Sequence, residues 1–339
     1  MPHLPRDLEN KTGEPSELVE LTPRRKTRSK PEGYNPDPGL VDAIKVALLV
    51  RKPLLLTGKP GVGKTELGHY LAWKMQLSVF QFDAKSTSMA RDLFYTYDAI
   101  RHFKAGGHIR PYLSFQALGE AIRKCAVRTD ELGRLLPDFL PAETRQSVVV
   151  IDEIDKTPRD FPNDLLNEVD QNYFHIPELE NLKIEADPKK APILVITSNS
   201  EKNLPAAFLR RCVYYNIPDP EPEQLREIVS GRIKELVDPD SSLLEELAKS
   251  DSPLVKSAVE LFVELTGKDS GMKLQPGTAE LLDWMLALIG LGATAEMDLA
   301  TRRDLIGATY QSLVKAQDDI ETARRILGLE VTDNKRANA

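Results

Sequence analysis

Five short apolar runs, each of strand length, punctuate the first two thirds of the chain: 53–57, 77–82, 147–151, 192–197 and 213–217. Nearly continuous apolar strands are those buried on both faces. Helical stretches lie between them, so the pattern predicts a parallel sheet with helices on both sides. A helical pattern from Asp42 to Val50 leads into the first run, and after Pro218-Asp219-Pro220 the strand pattern stops. Leu225, Ile228, Val229 and Leu236 then recur at helical spacing, as do Leu254, Ala258, Leu261, Phe262 and Leu265. Leu281, Trp284, Met285 and Leu288 repeat the pattern, followed by Leu305, Tyr310, Leu313 and Val314. These groups predict a small all-helical domain over 219–330 behind an α/β domain over 34–218. Residues 1–33, rich in proline and charge, and residues 331–339 are expected to be flexible tails.

The loop after the first run gives the sheet its chemistry. Gly58-Lys59-Pro60-Gly61-Val62-Gly63-Lys64-Thr65 fits the pattern G-x-x-x-x-G-K-[ST] at every fixed position. Glycines let successive backbone N–H groups turn toward an anion, the lysine reaches β- and γ-phosphates, and the threonine hydroxyl can ligate Mg²⁺. A strand-like run precedes the loop, and Leu67, Leu71 and Met75 follow at helical spacing, which is the context the motif requires. The expected nucleotide contacts are Gly58, Pro60, Gly61, Val62, Gly63, Lys64, Thr65 and Glu66. The loop implies a triphosphate and is silent on the base; Tyr34, just before the α/β domain, is a candidate for contact with it.

Val148-Val149-Val150-Ile151 ends in Asp152-Glu153, and such a strand delivers its last residues to the crevice where ligands bind in open α/β sheets. Asp152 is the expected Mg²⁺ partner beside Thr65, and Glu153 the expected general base for an attacking water. Asn199, after the run 193–198, should emerge at the same sheet edge, where an amide can orient that water. Arg210 and Arg211 precede the fifth run. Either can stabilise the charge of a phosphoryl-transfer transition state or simply finish a helix with a solvated cation.

Phosphate loop, Asp-Glu strand, strand-borne Asn, paired Arg and trailing helices, in that order, resemble an AAA+ ATPase over roughly residues 34–330. Ile151-Asp152-Glu153-Ile154-Asp155-Lys156-Thr157-Pro158 and Leu204-Pro205-Ala206-Ala207-Phe208-Leu209-Arg210-Arg211 look most like its MoxR-type branch. The resemblance implies a P-loop NTPase fold, a five-stranded parallel sheet between helices, followed by a helical lid. It implies ATP as substrate, with Lys64 and Thr65 in Walker A, Asp152 and Glu153 in Walker B, and Asn199 as sensor 1. Arg211, with Arg210 beside it, becomes the finger that completes a neighbour's site in a ring, commonly a hexamer. The implied work is remodelling or activation of a protein partner; a slow nucleotide-operated switch or scaffold is the alternative, ahead of a nucleic-acid motor or loader. Residues 88–115 and the pair of short strands around 173–185 sit where that branch carries substrate-handling insertions. Phe94, Tyr97 and Ile100 could equally form a buried helical stripe. Gln275-Pro276-Gly277-Thr278-Ala279-Glu280 departs from the family. It makes a good helix start with Thr278 as cap candidate, yet has no sensor 2 arginine; Arg302, Arg303 or Lys273 would have to replace it.

Composition narrows the classes further. The net charge of -7 and pI near 5.5 argue against a surface built for nucleic acid, and Arg24-Arg25-Lys26 with Arg28 and Lys30 reads as a solvated linker. Two distant cysteines, Cys125 and Cys212, suit a reduced cytoplasmic setting and read as small buried hydrophobes. No run approaches the ~20 apolar residues that span a bilayer, and no histidine pair has metal-ligand spacing.

Overall fold

A computed structural model describes residues 31–137, 140–141, 143–199, 204–236 and 249–329. The two expected tails lie outside these residues, apart from a single 3-10 turn at Pro31–Gly33. The strands are β1 (Leu54–Thr57), β2 (Ser78–Asp83), β3 (Tyr95–Tyr97), β4 (Leu113–Phe115), β5 (Ser147–Asp152), β6 (Tyr173–Ile176), β7 (Leu182–Glu185), β8 (Ile193–Thr197) and β9 (Val213–Asn216). Five of them form one parallel sheet in the order β2-β5-β8-β1-β9. The five apolar runs of the sequence are these five strands.

Alternation along the strands sorts their side chains onto two covered faces. Leu54, Leu56, Val148 and Val195 pack with Leu40 and Ile44 of helix Pro38–Val50 and with Leu67 and Leu71 of helix Lys64–Lys74. Leu55, Val149, Ile151, Leu194 and Ile196 turn to the opposite face, against Leu118 and Ile122 of helix Ala117–Lys124. Leu55 and Leu56 are wholly buried, and burying a leucine side chain contributes about 1.5–3 kcal/mol. Central strands therefore read as unbroken apolar runs, because both faces are covered.

Helix Lys64–Lys74 lies unusually close to β5. A Cβ placed on Gly68 would stand 2.2 Å from Val150 Cγ2, so the backbone itself forms the contact there. That approach brings the first turn of the helix to the end of β5.

The two smaller sheets are antiparallel hairpins. β3 pairs with β4, with helix Ala99–Ala105 between them, and β6 pairs with β7. The buried helical stripe that was the alternative for Phe94, Tyr97 and Ile100 does not form. Tyr97 lies on β3, and Asp98 accepts a 2.9 Å bond from Arg101 N that starts a new helix out of phase with it. Phe94 is buried, whereas Ile100 is 71% exposed.

The described residues from Pro220 onward make a second compact unit, of helices alone. Helices Pro222–Leu236, Pro253–Thr266, Thr278–Gly290, Arg303–Thr309 and Ile320–Ile326 surround Trp284, whose buried Nε1 donates to Thr309 Oγ1 at 2.8 Å. Ser252 caps the second of these helices through Val255 N. At the third, Gly277 rather than Thr278 is the cap; its N–H donates to Glu280 Oε2 at 3.0 Å, and Thr278 is buried in the first turn. Among the described residues no helix is long and apolar enough to cross a membrane.

The contact at Gly68 predicts that Gly68→Ala costs about 1–3 kcal/mol through overpacking. Gly133→Ala, where a Cβ meets nothing within 4 Å in a helix, should instead be neutral or stabilising by up to about 1 kcal/mol. Chemical denaturation of the two variants reads the difference, and equal stabilities would sink it.

Candidate functional site

β1 ends at Thr57, and the loop that follows turns through Gly58, Gly61 and Gly63, all at positive φ. Gly63 caps helix Lys64–Lys74, so the loop leads directly into a helix N-terminus, whose free N–H groups and dipole favour an anion. At Gly63 φ is 88°, and a Cβ would come within 2.9 Å of the Tyr34 ring, so only glycine fits. Tyr34 also packs against Tyr70, with the ring centroids 5.5 Å apart and the rings tilted by 43°. Burial, and then the nearby Glu66, push its hydroxyl far above the usual tyrosine range, leaving a neutral aromatic surface beside the loop.

Lys64 folds back over the loop that carries it. Its Nζ donates to Gly58 O at 2.8 Å and to Lys59 O at 2.9 Å. Burial lowers its pKa, and the opposing pull of Asp152, Asp155, Glu153 and Glu66 does not cancel that effect. Lys59 pairs with Asp219 at 2.6 Å and ties the loop to the segment after β9. Val62 packs into the core beside helix Lys64–Lys74, while Pro60 and Gly61 are exposed at the loop crest.

At the end of β5 the acids meet the loop. Thr65 Oγ1 donates to Asp152 Oδ1 at 2.7 Å, and Thr197 Oγ1, at the end of β8, donates to the same oxygen at 2.6 Å. Thr197 Oγ1 also accepts from Glu153 N at 2.9 Å. A hydroxyl and a carboxylate in contact are the hard oxygen donors that Mg²⁺ takes while keeping most of its waters, so the residues fit that ion.

Glu153 leaves the strand in the left-handed region, at φ 56°. Asn199 Nδ2 donates to its Oε1 at 3.3 Å, Lys156 Nζ is paired with its Oε2, and Asn199 N donates to Asp155 Oδ1 at 3.1 Å. Thr65 with Asp152 and Asn199 with Glu153 thus meet at the C-terminal edge of the sheet, where Lys64 precedes Thr65 in the first turn of the loop helix. Thr197, Asp155 and Lys156 join this network without having stood among the site residues expected from the sequence. A polar residue closing an otherwise apolar strand was the available signal for Thr197.

Arg211, after helix Ala206–Leu209, donates from Nε to Asp170 Oδ2 at 2.5 Å and from Nη1 to Ala207 O at 3.2 Å. Arg210 is exposed. In the helical unit, Lys273 pairs with Asp318 at 2.6 Å, Arg302 pairs with Asp304 at 2.7 Å, and Arg303 is exposed. Burial pushes both thiols, Cys125 and Cys212, up to about 12, which disqualifies them as nucleophiles near neutral pH.

Comparison with known families matches residues 53–212 to the AAA domain (dynein-related subfamily). The chain is also similar to the Lon protease of Campylobacter concisus (strain 13826), 25% identical over 230 residues, which are 65% of this chain and 24% of that protein. The Lon protease of Desulfovibrio desulfuricans (strain ATCC 27774 / DSM 6949 / MB) is 25% identical over 224 residues, 65% of this chain and 22% of that protein. The chain spans about a quarter of the length of these curated relatives. The parallel sheet, the phosphate loop and the acid-tipped β5 give residues 53–212, the part that matches the AAA domain, a P-loop NTPase fold of the AAA kind.

Proposed function

We propose that this protein hydrolyses ATP with Mg²⁺ and uses the cycle, as a ring of its own copies, to remodel or activate a protein partner in the cytoplasm. The observation that carries the hydrolytic part is the junction of Thr65 with Asp152 and of Asn199 with Glu153 at one sheet edge. Incoming β- and γ-phosphates would replace the Gly58 and Lys59 carbonyls as partners of Lys64, and the loop amides would bind the same oxygens. Thr65 and Asp152 would hold the Mg²⁺, whose charge offsets that developing on the phosphates. Glu153 accepts the proton of the attacking water, and Asn199 orients water and carboxylate together.

Arg211 enters as the finger of a neighbouring site. Its side chain is 38% exposed and its contacts are with Asp170 and Ala207, which supports a role outside its own loop. The MoxR-type words around Asp152 and Arg211 favour the chaperone-like reading within AAA+. A second reading, a slow nucleotide-operated switch, is favoured by one observation: the helix start at 275–280 carries no cation, and Lys273 and Arg302 are already paired. A remodeller's turnover should rise with its partner, whereas a switch should stay slow and change oligomeric state with nucleotide.

Glu153→Gln should keep ATP binding and lower turnover by about 10²–10⁴-fold, the usual weight of a general base. Steady-state phosphate release and a nucleotide-binding titration check this together, and undiminished turnover rejects the assigned base. Arg211→Ala should lower turnover by roughly 10³-fold or more. Mixing it with Glu153→Gln should then recover activity, because one subunit supplies the finger and the other the base. A mixture as inactive as its components rejects the shared site.

A further inference from the structure

We propose that Lys156 is a positioning residue for the hydrolytic step, aiming the Glu153 carboxylate at the water it deprotonates. This rests on the reading of Glu153 as general base. Glu153 begins a tight turn, with Lys156 N donating to Glu153 O at 2.9 Å and Thr157 N to Ile154 O at 3.1 Å. Thr157 Oγ1 closes the same turn on Ile154 O at 2.7 Å. The turn carries Lys156 back over Glu153, whose Oε2 it engages while Asn199 engages Oε1. Asp155, between them, accepts the Asn199 backbone N–H. Both oxygens of the base are therefore held by groups anchored to one four-residue turn.

The pair adds little to stability. Lys156 and Glu153 side chains are 53% and 38% exposed, and exposed ion pairs contribute little to folding. Its consequence is geometric. Asn199 alone fixes one oxygen and leaves the carboxylate free to swing about it; the second contact removes that freedom. The hydrogen bond from Lys156 to Glu153 also raises the lysine pKa, so the ammonium is charged throughout the working range. Misplacement of a reacting group by about 1 Å can cost up to 10²-fold in rate.

Steady-state ATP hydrolysis by the full chain tests the proposal. Lys156→Met should lower kcat about tenfold with KM for ATP and the melting temperature unchanged, since the loss concerns aim rather than binding. Lys156→Arg, which keeps a cation on the same turn, should restore kcat to within about threefold. Adding Lys156→Met to Glu153→Gln should lower turnover no further. An unchanged or raised kcat in Lys156→Met, or a loss that Lys156→Arg does not relieve, overturns the proposal. Glu153→Gln separates the two levels. If that variant still turns over, the base assignment has failed; if it is inactive while Lys156→Met matches the unaltered chain, only the role of Lys156 has failed.

Discussion

One carboxylate oxygen joins three elements of the sheet edge. Asp152 Oδ1 accepts from Thr65 on the loop helix and from Thr197 on β8, and the Thr197 hydroxyl takes the Glu153 N–H as well. Hydrogen bonds to a charged acceptor are roughly twice as strong as neutral ones, and a partly buried carboxylate cannot go without them. The register of β5 and β8, the seat of the helix and the backbone course of Glu153 all converge on that oxygen. Removing it would leave two hydroxyls and a strand end without a common anchor.

The junction is possible because backbones come close. Gly68 lets helix Lys64–Lys74 approach Val150 of β5, and Gly63 gives room to the Tyr34 ring at the loop. Each glycine forgoes apolar burial and adds backbone entropy to the unfolded chain, a cost the packed core on both sheet faces offsets. Site and core are therefore one construction: the residues that fill the layers also set the distances between hydroxyl, carboxylate and lysine.

Two cations of the α/β unit are held by groups of the protein itself. Lys64 sits on two carbonyls of its own loop, and Arg211 on Asp170. Each contact satisfies a charge that would otherwise be costly to bury or hold in place, and on the proposed reading each would be exchanged for a phosphate oxygen when nucleotide binds. Lys156 differs, because its contact is with Glu153, the carboxylate proposed as the base, and not with a backbone carbonyl of the phosphate loop.

Much of this was legible along the chain. Five strand-length runs, the phosphate loop and the Asp152-Glu153 pair lie in local sequence, where apolar periodicity and glycine spacing act over a few residues. Local pattern failed at Phe94, Tyr97 and Ile100, where pairing with β4 overrode helical spacing, and at Thr278, where Gly277 and Glu280 made the cap. The sequence by itself determined which groups the site could hold and the order in which they come. Only the tertiary structure decided the strand order β2-β5-β8-β1-β9 and the meetings of Thr65 with Asp152, Asn199 with Glu153 and Arg211 with Asp170. Those partners stand 87, 46 and 41 residues apart, and nothing in a local window specifies a contact that exists only once the sheet has closed its layers.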